Sequence, residues 1–492
     1  MIQPQFETYR YVGEICQVNS QSMVECRLPG SEVNSILAIH AHAVPGETGC
    51  SNGEAQYAGK VLFCILYEDG NKKICRIERG VEFFHKAEQS EITPSCFSKT
   101  SLRTENVSWR REGSGIYVTA VVDATIVVYG AKQIEYLMDG EGLIVKKQDQ
   151  KIYKSISVSG EMEGEDEFDT DYVGDVLLHD EHAIVTRVRA SDGQIDVEGE
   201  LNVHVCVLKK EDVVCSYERI LPFKVSIPSE EAYGEMVAGA RIFVKSAELT
   251  ADVDEEKGVA RILLSYVLSA ECVLTIVETL SVTEDAFSTT ASVDLKKHEE
   301  GGMYLLNQIK CVERVHGDAI LSPEVEGSMQ AVVLPRAEIT IKKGEKGMEA
   351  EGVVLAEGIF RASEGAYRSA TISIPVLFPV DVEGMEADVD CAVSGFIVKR
   401  KKDGQIEGEC LLKLSIRAYE RRDWAYVAQI EMGEAIQEDE YGFSIFMTET
   451  GEELWQVAKR IRCAPEELKK SNPDLKFPLR GGERLYVYRR IK

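Results

Sequence analysis

The chain has eight histidines and 83 acidic residues, and these are its most obvious means of metal or acid–base chemistry. His179-Asp-Glu-His182 sets two imidazoles three residues apart, and His40-Ala-His42 puts two on one side of a strand-like run. A structural or catalytic zinc ion takes three or four protein ligands. Neither pair has a third ligand nearby, so the first, placed in a turn before a strand, is expected to be solvated, and the second to be satisfied or exposed. With acids so numerous, no Glu/Asp dyad for glycoside cleavage stands out. No Gly-x-x-x-x-Gly-Lys phosphate loop and no Gly-x-Ser-x-Gly nucleophile elbow occurs. The thirteen cysteines run from Cys16 to Cys463 without a Cys-x-x-Cys pair. Cys64 in Val-Leu-Phe-Cys-Ile-Leu-Tyr and Cys206 in Val-His-Val-Cys-Val-Leu read as core thiols of a reducing compartment. Trp109, Trp424 and Trp455 are too dispersed for a sugar-stacking platform, and Trp455 reads as core of a C-terminal module. The expectation is a non-enzyme with no catalytic residues, no metal and no cofactor.

The elements that position these residues read as strands. Ile116–Val128, Ile195–Val207 and Ala260–Val277 alternate with a period of two and are rich in β-branched residues, which predicts a mainly β fold. A repeat is also present. Gly59, Gly199 and Gly352 each open an alternating run, and Phe83, Phe223 and Phe378 follow them. Gly115, Gly258 and Gly404 then open a second run. The first glycines are 140 and 153 residues apart, a period that suits three bead-like β-domains rather than a solenoid. The acidic run Glu161–Asp171, the polar stretch Asp285–Gly302 and the stretch Met432–Glu440 are the expected breaks. The acidic run lacks Ca-loop spacing and reads as a linker or sheet rim. The resulting division is 1–155, 172–290, 303–432 and 441–492.

Charge separates the last segment from the rest. Residues 441–492 carry 11 Lys and Arg against 7 Asp and Glu, whereas residues 1–440 carry 45 against 76. A body of net charge −27 repels nucleic acid. No secretory signal and no run long enough to span a membrane is expected.

The C-terminal pattern is strand–helix–helix–strand. Phe443-Ser-Ile-Phe is a short strand, and Thr450 is placed to cap a helix whose apolar face is Leu454, Val457, Ala458 and Ile461. Ala464-Pro-Glu-Glu-Leu-Lys-Lys starts a second helix, Ser471-Asn-Pro-Asp-Leu ends it, and Leu479–Tyr488 turns into a closing strand. This order, with Gly-acid before Leu-Trp, then Glu-Glu-Leu, Asn-Pro and Gly-x-x-Leu-x-Val, resembles the LysM domain. The resemblance implies recognition of N-acetylglucosamine glycans such as peptidoglycan. The implied groove is Thr450, Gly451, Glu452, Glu453 and Leu454, with Asn472, Pro473, Asp474 and Leu475. Glu452-Glu453 stands where the family has Asp-Thr, so a module that binds protein instead is the other reading.

The body resembles the SPOCS family of endospore-forming bacteria. Gly13-Glu-Ile-Cys-Gln-Val-Asn-Ser-Gln-Ser-Met-Val-Glu-Cys-Arg-Leu-Pro is similar to its opening segment, with Gly30-Ser-Glu-Val in place of the usual Pro-Asp-Ile. Ile195-Asp-Val-Glu-Gly-Glu-Leu-Asn-Val and Leu221-Pro-Phe are similar to its central motif. The implied fold is three β-sandwich-like SPOCS domains followed by a small α+β (βααβ) LysM domain. SPOCS repeats ending in LysM imply a spore-coat assembly factor of the mother-cell cytoplasm, held at the forespore surface by a coat-basement protein. Direct binding of peptidoglycan in the wall or cortex is the alternative.

Overall fold

The computed structural model describes residues 2–30, 33–171, 175–209, 212–254, 256, 259–345, 347–401, 405–436 and 442–488. The chain is mainly β, with strand over 80% of its length and two short helices. Among the described residues no helix is long and apolar enough to cross a membrane.

One pairing order recurs three times. β1 (Gln3–Pro29), β6 (Gly115–Glu141) and β5 (Phe97–Glu112) form one antiparallel sheet, and β2 (Val33–Ser51), β3 (Glu54–Asp69) and β4 (Ile74–Glu88) form a meander. The order returns as β7 (Ile144–Asp171), β12 (Val259–Phe287) and β11 (Val237–Asp254), with the meander β8 (Asp175–Ser191), β9 (Gln194–Lys209) and β10 (Val213–Pro228). It appears again as β13 (Ala291–Ser322), β18 (Ile406–Ala435) and β17 (Glu386–Arg400), with β14 (Ser328–Lys343), β15 (Met348–Arg361) and β16 (Tyr367–Val380). In this last set Ile320–Ser322 of β13 also pairs with β16, joining the two sheets. Apolar residues alternate inward on both sheets of each set, as in a sandwich. In the first set Val24, Cys26 and Leu28 meet Val61, Phe63 and Ile65.

One of the three expected breaks is continuous strand. Glu161–Asp171 belongs to β7 and pairs with β12 from Val259 to Ser269. Glu161, Glu163, Glu165, Glu167 and Asp169 face water while Met162 and Phe168 turn inward onto the core, so the run is a half-buried strand with an acidic outer face. Asp285–Phe287 ends β12, and β13 begins at Ala291. Met432–Ala435 still belongs to β18. Residues 172 and 437–441, like Gly258 and Gly404, lie outside the described residues.

Gly59, Gly199 and Gly352 sit inside the central meander strands rather than opening them. Gly59 pairs with Phe83 and Gly199 with Phe223. A Cβ on Gly199 would lie 2.2 Å from Phe223 Cζ and 2.5 Å from the Ile184 carbonyl, so the ring lies across the bare backbone. Gly352 instead has the Glu338 carbonyl at the Cβ position, and Phe378 pairs with Ala350.

The three sets are not beads. Their meanders share a core that includes Leu66, Cys206 and Ile359, and also Ile74, Val214 and Tyr367. Each triple is spaced by the same 140 and 153 residues as the glycines. The long first-and-last-strand ribbons share a second core, where Ile134, Tyr136, Ile152, Val282, Trp424 and Tyr426 meet. Tyr9 reaches Glu278 at 2.7 Å and Thr283 reaches the Met138 carbonyl at 3.3 Å across these ribbons.

Candidate functional site

The C-terminal module is a βααβ unit: β19 (Phe443–Met447), α1 (Leu454–Ile461), α2 (Pro465–Ser471) and β20 (Arg484–Tyr488). Val457, Ala458 and Ile461 of α1, Leu468 of α2, and Leu485 and Val487 of β20 form its core. The cap of α1 is Glu453, not Thr450. Gly451, at φ +86°, turns the chain once more before the helix starts, and Glu453 closes a capping box with Gln456. Thr450 Oγ1 donates to the Arg480 carbonyl at 3.1 Å.

Thr450, Glu452 and Asn472 of the expected groove are spent within the module. Gly451 N–H donates to the Leu479 carbonyl at 2.8 Å, and Leu479 N–H donates to the Glu452 carbonyl at 2.9 Å, which clips the two loops together. The Glu452 carboxylate takes two bonds from Arg460, both 2.9 Å, and one from Glu449 N–H at 2.8 Å. Desolvation pushes this carboxyl up, but the Glu449 N–H and Arg460 outweigh it and hold the group below its ordinary range. Asn472 is buried, donates to the Leu468 and Tyr486 carbonyls, and accepts from Tyr486 N–H at 2.7 Å. It ties the loop after α2 to β20. Leu454 and Leu475 pack on the core, while Gly451, Glu453, Pro473 and Asp474 are exposed.

Trp455 is a docking residue rather than simple module core. Its indole N–H donates to Asp285 Oδ2 at 2.8 Å, and its ring meets Phe287 edge-on at 5.2 Å. Lys459 Nζ lies 2.6 Å from Asp285 Oδ1. Burial pushes the Asp285 carboxyl up, but the bonds from Lys459 and Trp455 outweigh it and hold it below the usual carboxylate range. Phe287 and Ile144, at the end of the β7–β12 ribbon, complete this contact. Of the other tryptophans, Trp424 lies in the ribbon core and Trp109 is exposed.

The two histidine pairs, separate in the sequence, meet around one buried carboxylate. Asp180 is 3% exposed on β8, with His182 Nε2 at 2.9 Å and His40 Nδ1, from β2, at 3.6 Å. His179 bonds Glu181 at 2.7 Å, and His179-Asp-Glu-His182 lies within a strand rather than a turn, its imidazoles half-buried and bonded to carboxylates. His40 and His42 stack at 6.3 Å, and His42 Nε2 donates to the Val244 carbonyl at 2.9 Å. His204 on β9 donates to the Val393 carbonyl of β17 at 3.0 Å. Burial lowers His40 and His204, with Asp180 offsetting part of it. For His182 burial also pushes down, but Asp180 wins and raises the imidazole. The carboxyl of Asp180 is pushed up by burial, yet His182 and His40 hold it far below its ordinary value. His40, His42, His179 and Glu181 border a cavity of about 280 Å³ with Cys64, Glu78 and Arg79 on its wall. Among the described residues no set of three or more His, Cys, Asp or Glu is placed to hold a metal ion. His40 and its partner Asp180 stand 140 residues apart, the offset of the glycines, and His42 and His182 have the same spacing, which is the signal that links the two motifs.

The thirteen cysteines are free thiols. Burial pushes Cys64, Cys272, Cys391 and Cys410 up to about 12, so these sulfurs are poor nucleophiles at neutral pH. A further buried polar set joins the second and third strand sets: Lys413, 6% exposed, donates to Glu200 at 2.7 Å and to Asn202 at 2.8 Å. No protein-family model, no curated protein and no solved structure matches the chain.

Proposed function

We propose that the chain is a non-enzymatic assembly factor of an endospore envelope, in which three SPOCS-type β-domains form one acidic body and a LysM-type module docks it to a coat-basement protein. The observation that carries the protein-docking reading is the state of the groove. Thr450, Glu452 and Asn472, the side chains best able to hydrogen-bond a sugar, already bond within the module. Glycan hydroxyls would have to displace those bonds, and an exchange of one hydrogen bond for another contributes little net free energy. A protein partner needs only an apolar centre with a charged rim. The shared cores of the three strand sets support a single body rather than a flexible tether.

The test is affinity purification of the full chain, and of a chain lacking residues 442–492, from a lysate of sporulating cells. A coat-basement protein retained by the full chain alone supports the reading. Retention by both chains, or by neither, overturns it. Direct peptidoglycan binding is the second outcome, scored by cosedimentation that chitin oligomers compete away.

A further inference from the structure

The β19–β20 hairpin has an inner and an outer face. Phe446, Leu485 and Val487 turn toward the helices. The alternate residues Phe443, Ile445, Met447, Tyr486 and Tyr488 turn outward and are 46%, 51%, 57%, 37% and 62% exposed. Their register sets Phe443 opposite Tyr488 and Ile445 opposite Tyr486, with Arg484 opposite Met447. Phe443 also stacks on Tyr486 at 6.0 Å and tilts against Tyr488 at 5.1 Å. A sheet packed on one side ordinarily shows polar residues on the other. Five large apolar side chains in one outer patch instead mark an interaction surface. The body does not cover it, because docking uses Trp455 and Lys459 of α1.

Size and charge decide the occupant. Two five-residue strands offer a face of only about 17 by 10 Å. Two such faces together bury far less than the roughly 1,200 Å² of a stable interface. A second copy would also set one basic module against another, with Arg484 at the rim of each. Among the described residues Arg484 makes no ion pair, nor do Arg462, Lys469, Lys470, Lys476 and Arg480 of the same module. The acids Glu452 and Glu483, by contrast, are engaged within it. We propose that the outer face of the β19–β20 hairpin binds a short apolar segment flanked by acidic residues, supplied by another protein. This rests on the docking reading above and assigns its surface to the hairpin rather than to the groove.

The experiment places a photo-crosslinking amino acid at Met447 or Tyr486, both on the outer face, of the full chain, exposes it to sporulating-cell lysate, and sequences the joined peptide. The expected peptide comes from another protein, carries apolar residues and is net acidic. Its yield falls as salt rises to about 0.5 M. The double variant Ile445→Ser/Tyr488→Ser, with an unchanged melting temperature, is expected to bind that partner roughly tenfold or more weakly. The variant Arg484→Glu should also weaken it. A crosslink to the chain itself, to a second copy or to a basic segment overturns the proposal. If the partner binds the double variant as tightly as the parent, the hairpin assignment fails while the docking reading stands. If the parent retains no partner, both fail.

Discussion

Replacing Asp285 with alanine removes the acceptor that holds the C-terminal module to the body. The indole N–H of Trp455 would then remain in a part-buried contact without a partner, at a cost of about 1–3 kcal/mol. The Lys459 bond adds little, because that ammonium is 45% exposed, and pairs of this kind contribute about 0.2–1 kcal/mol. Taken together the docking equilibrium should shift by about 2 kcal/mol, roughly a thirtyfold rise in the undocked population. Hydrogen exchange reads this directly: amides of α1 and of β12 near Phe287 should exchange faster, while those in the sandwich cores should not. Glu284→Ala is the control, since Glu284 pairs with Lys146 at 2.8 Å and not with the module. The pH dependence has a definite sign. The Asp285 carboxyl is depressed in the docked state, so its contribution is present above the ordinary carboxylate range and is lost only as pH falls through the depressed value. Docking should therefore hold between about pH 7.5 and 5 and loosen in stronger acid. Unchanged exchange at both α1 and the end of β12 in the Asp285→Ala chain would refute this account of the dock.

The histidine junction should show opposed pH trends in two variants. His182 is raised in the fold, so its contribution is full below about 6.5 and fades as pH rises through the folded value. His182→Gln should thus lower the melting temperature more at pH about 5.5 than at about 8. His40 is lowered, so its protonation opposes the fold as pH falls below about 6.5. His40→Gln should relieve that acid loss, although His42, His179, Glu181, His204 and Arg336 face the same junction; parallel pH curves for the two variants would contradict the assignment. Gly199→Ala should destabilise the body by about 1–3 kcal/mol or more, because the Ile184 carbonyl cannot move aside, whereas Gly49→Ala meets no atom within 4 Å and should be silent in thermal melts. Glu200→Gln should cost about 3–5 kcal/mol in denaturant unfolding by leaving Lys413 buried without its carboxylate; an unchanged midpoint would show that Asn202 satisfies the ammonium by itself.

The legible and illegible parts of the fold divide along physical lines. Strand identity was readable because alternation at Ile116–Val128 and Ile195–Val207 is a one-chain property of the pleat. The C-terminal helices were readable from their apolar spacing and from Pro465 at the first turn of α2. The acidic segment Glu161–Asp171, read as a linker or sheet rim, is an edge strand, and charge hid the alternation of Met162 and Phe168 that would have ruled out the linker. Thr450 was misplaced as a cap because the extra turn at Gly451 depends on its positive φ. Gly59 and Gly199 were located but misassigned, since their reason is an aromatic ring from the neighbouring strand, whereas Gly352 makes room for the Glu338 carbonyl. The Asp180 cluster and the Asp285 dock were hidden for a different reason. Both join residues more than a hundred positions apart, and no local pattern encodes which surfaces meet. Only the 140-residue offset, which carries His40 onto Asp180, offered a hint.

The most direct test of the central claim is a competition in one tube. The full chain is offered purified peptidoglycan and a sporulating-cell lysate together, and its distribution between the pelleted wall and soluble complexes is measured. A chain that stays off the wall and elutes with a coat-basement protein, lost on removal of residues 442–492, is the predicted result. Saturable retention on peptidoglycan, released by chitin oligomers, would contradict it and return the groove of Thr450, Glu452 and Asn472 to glycan recognition.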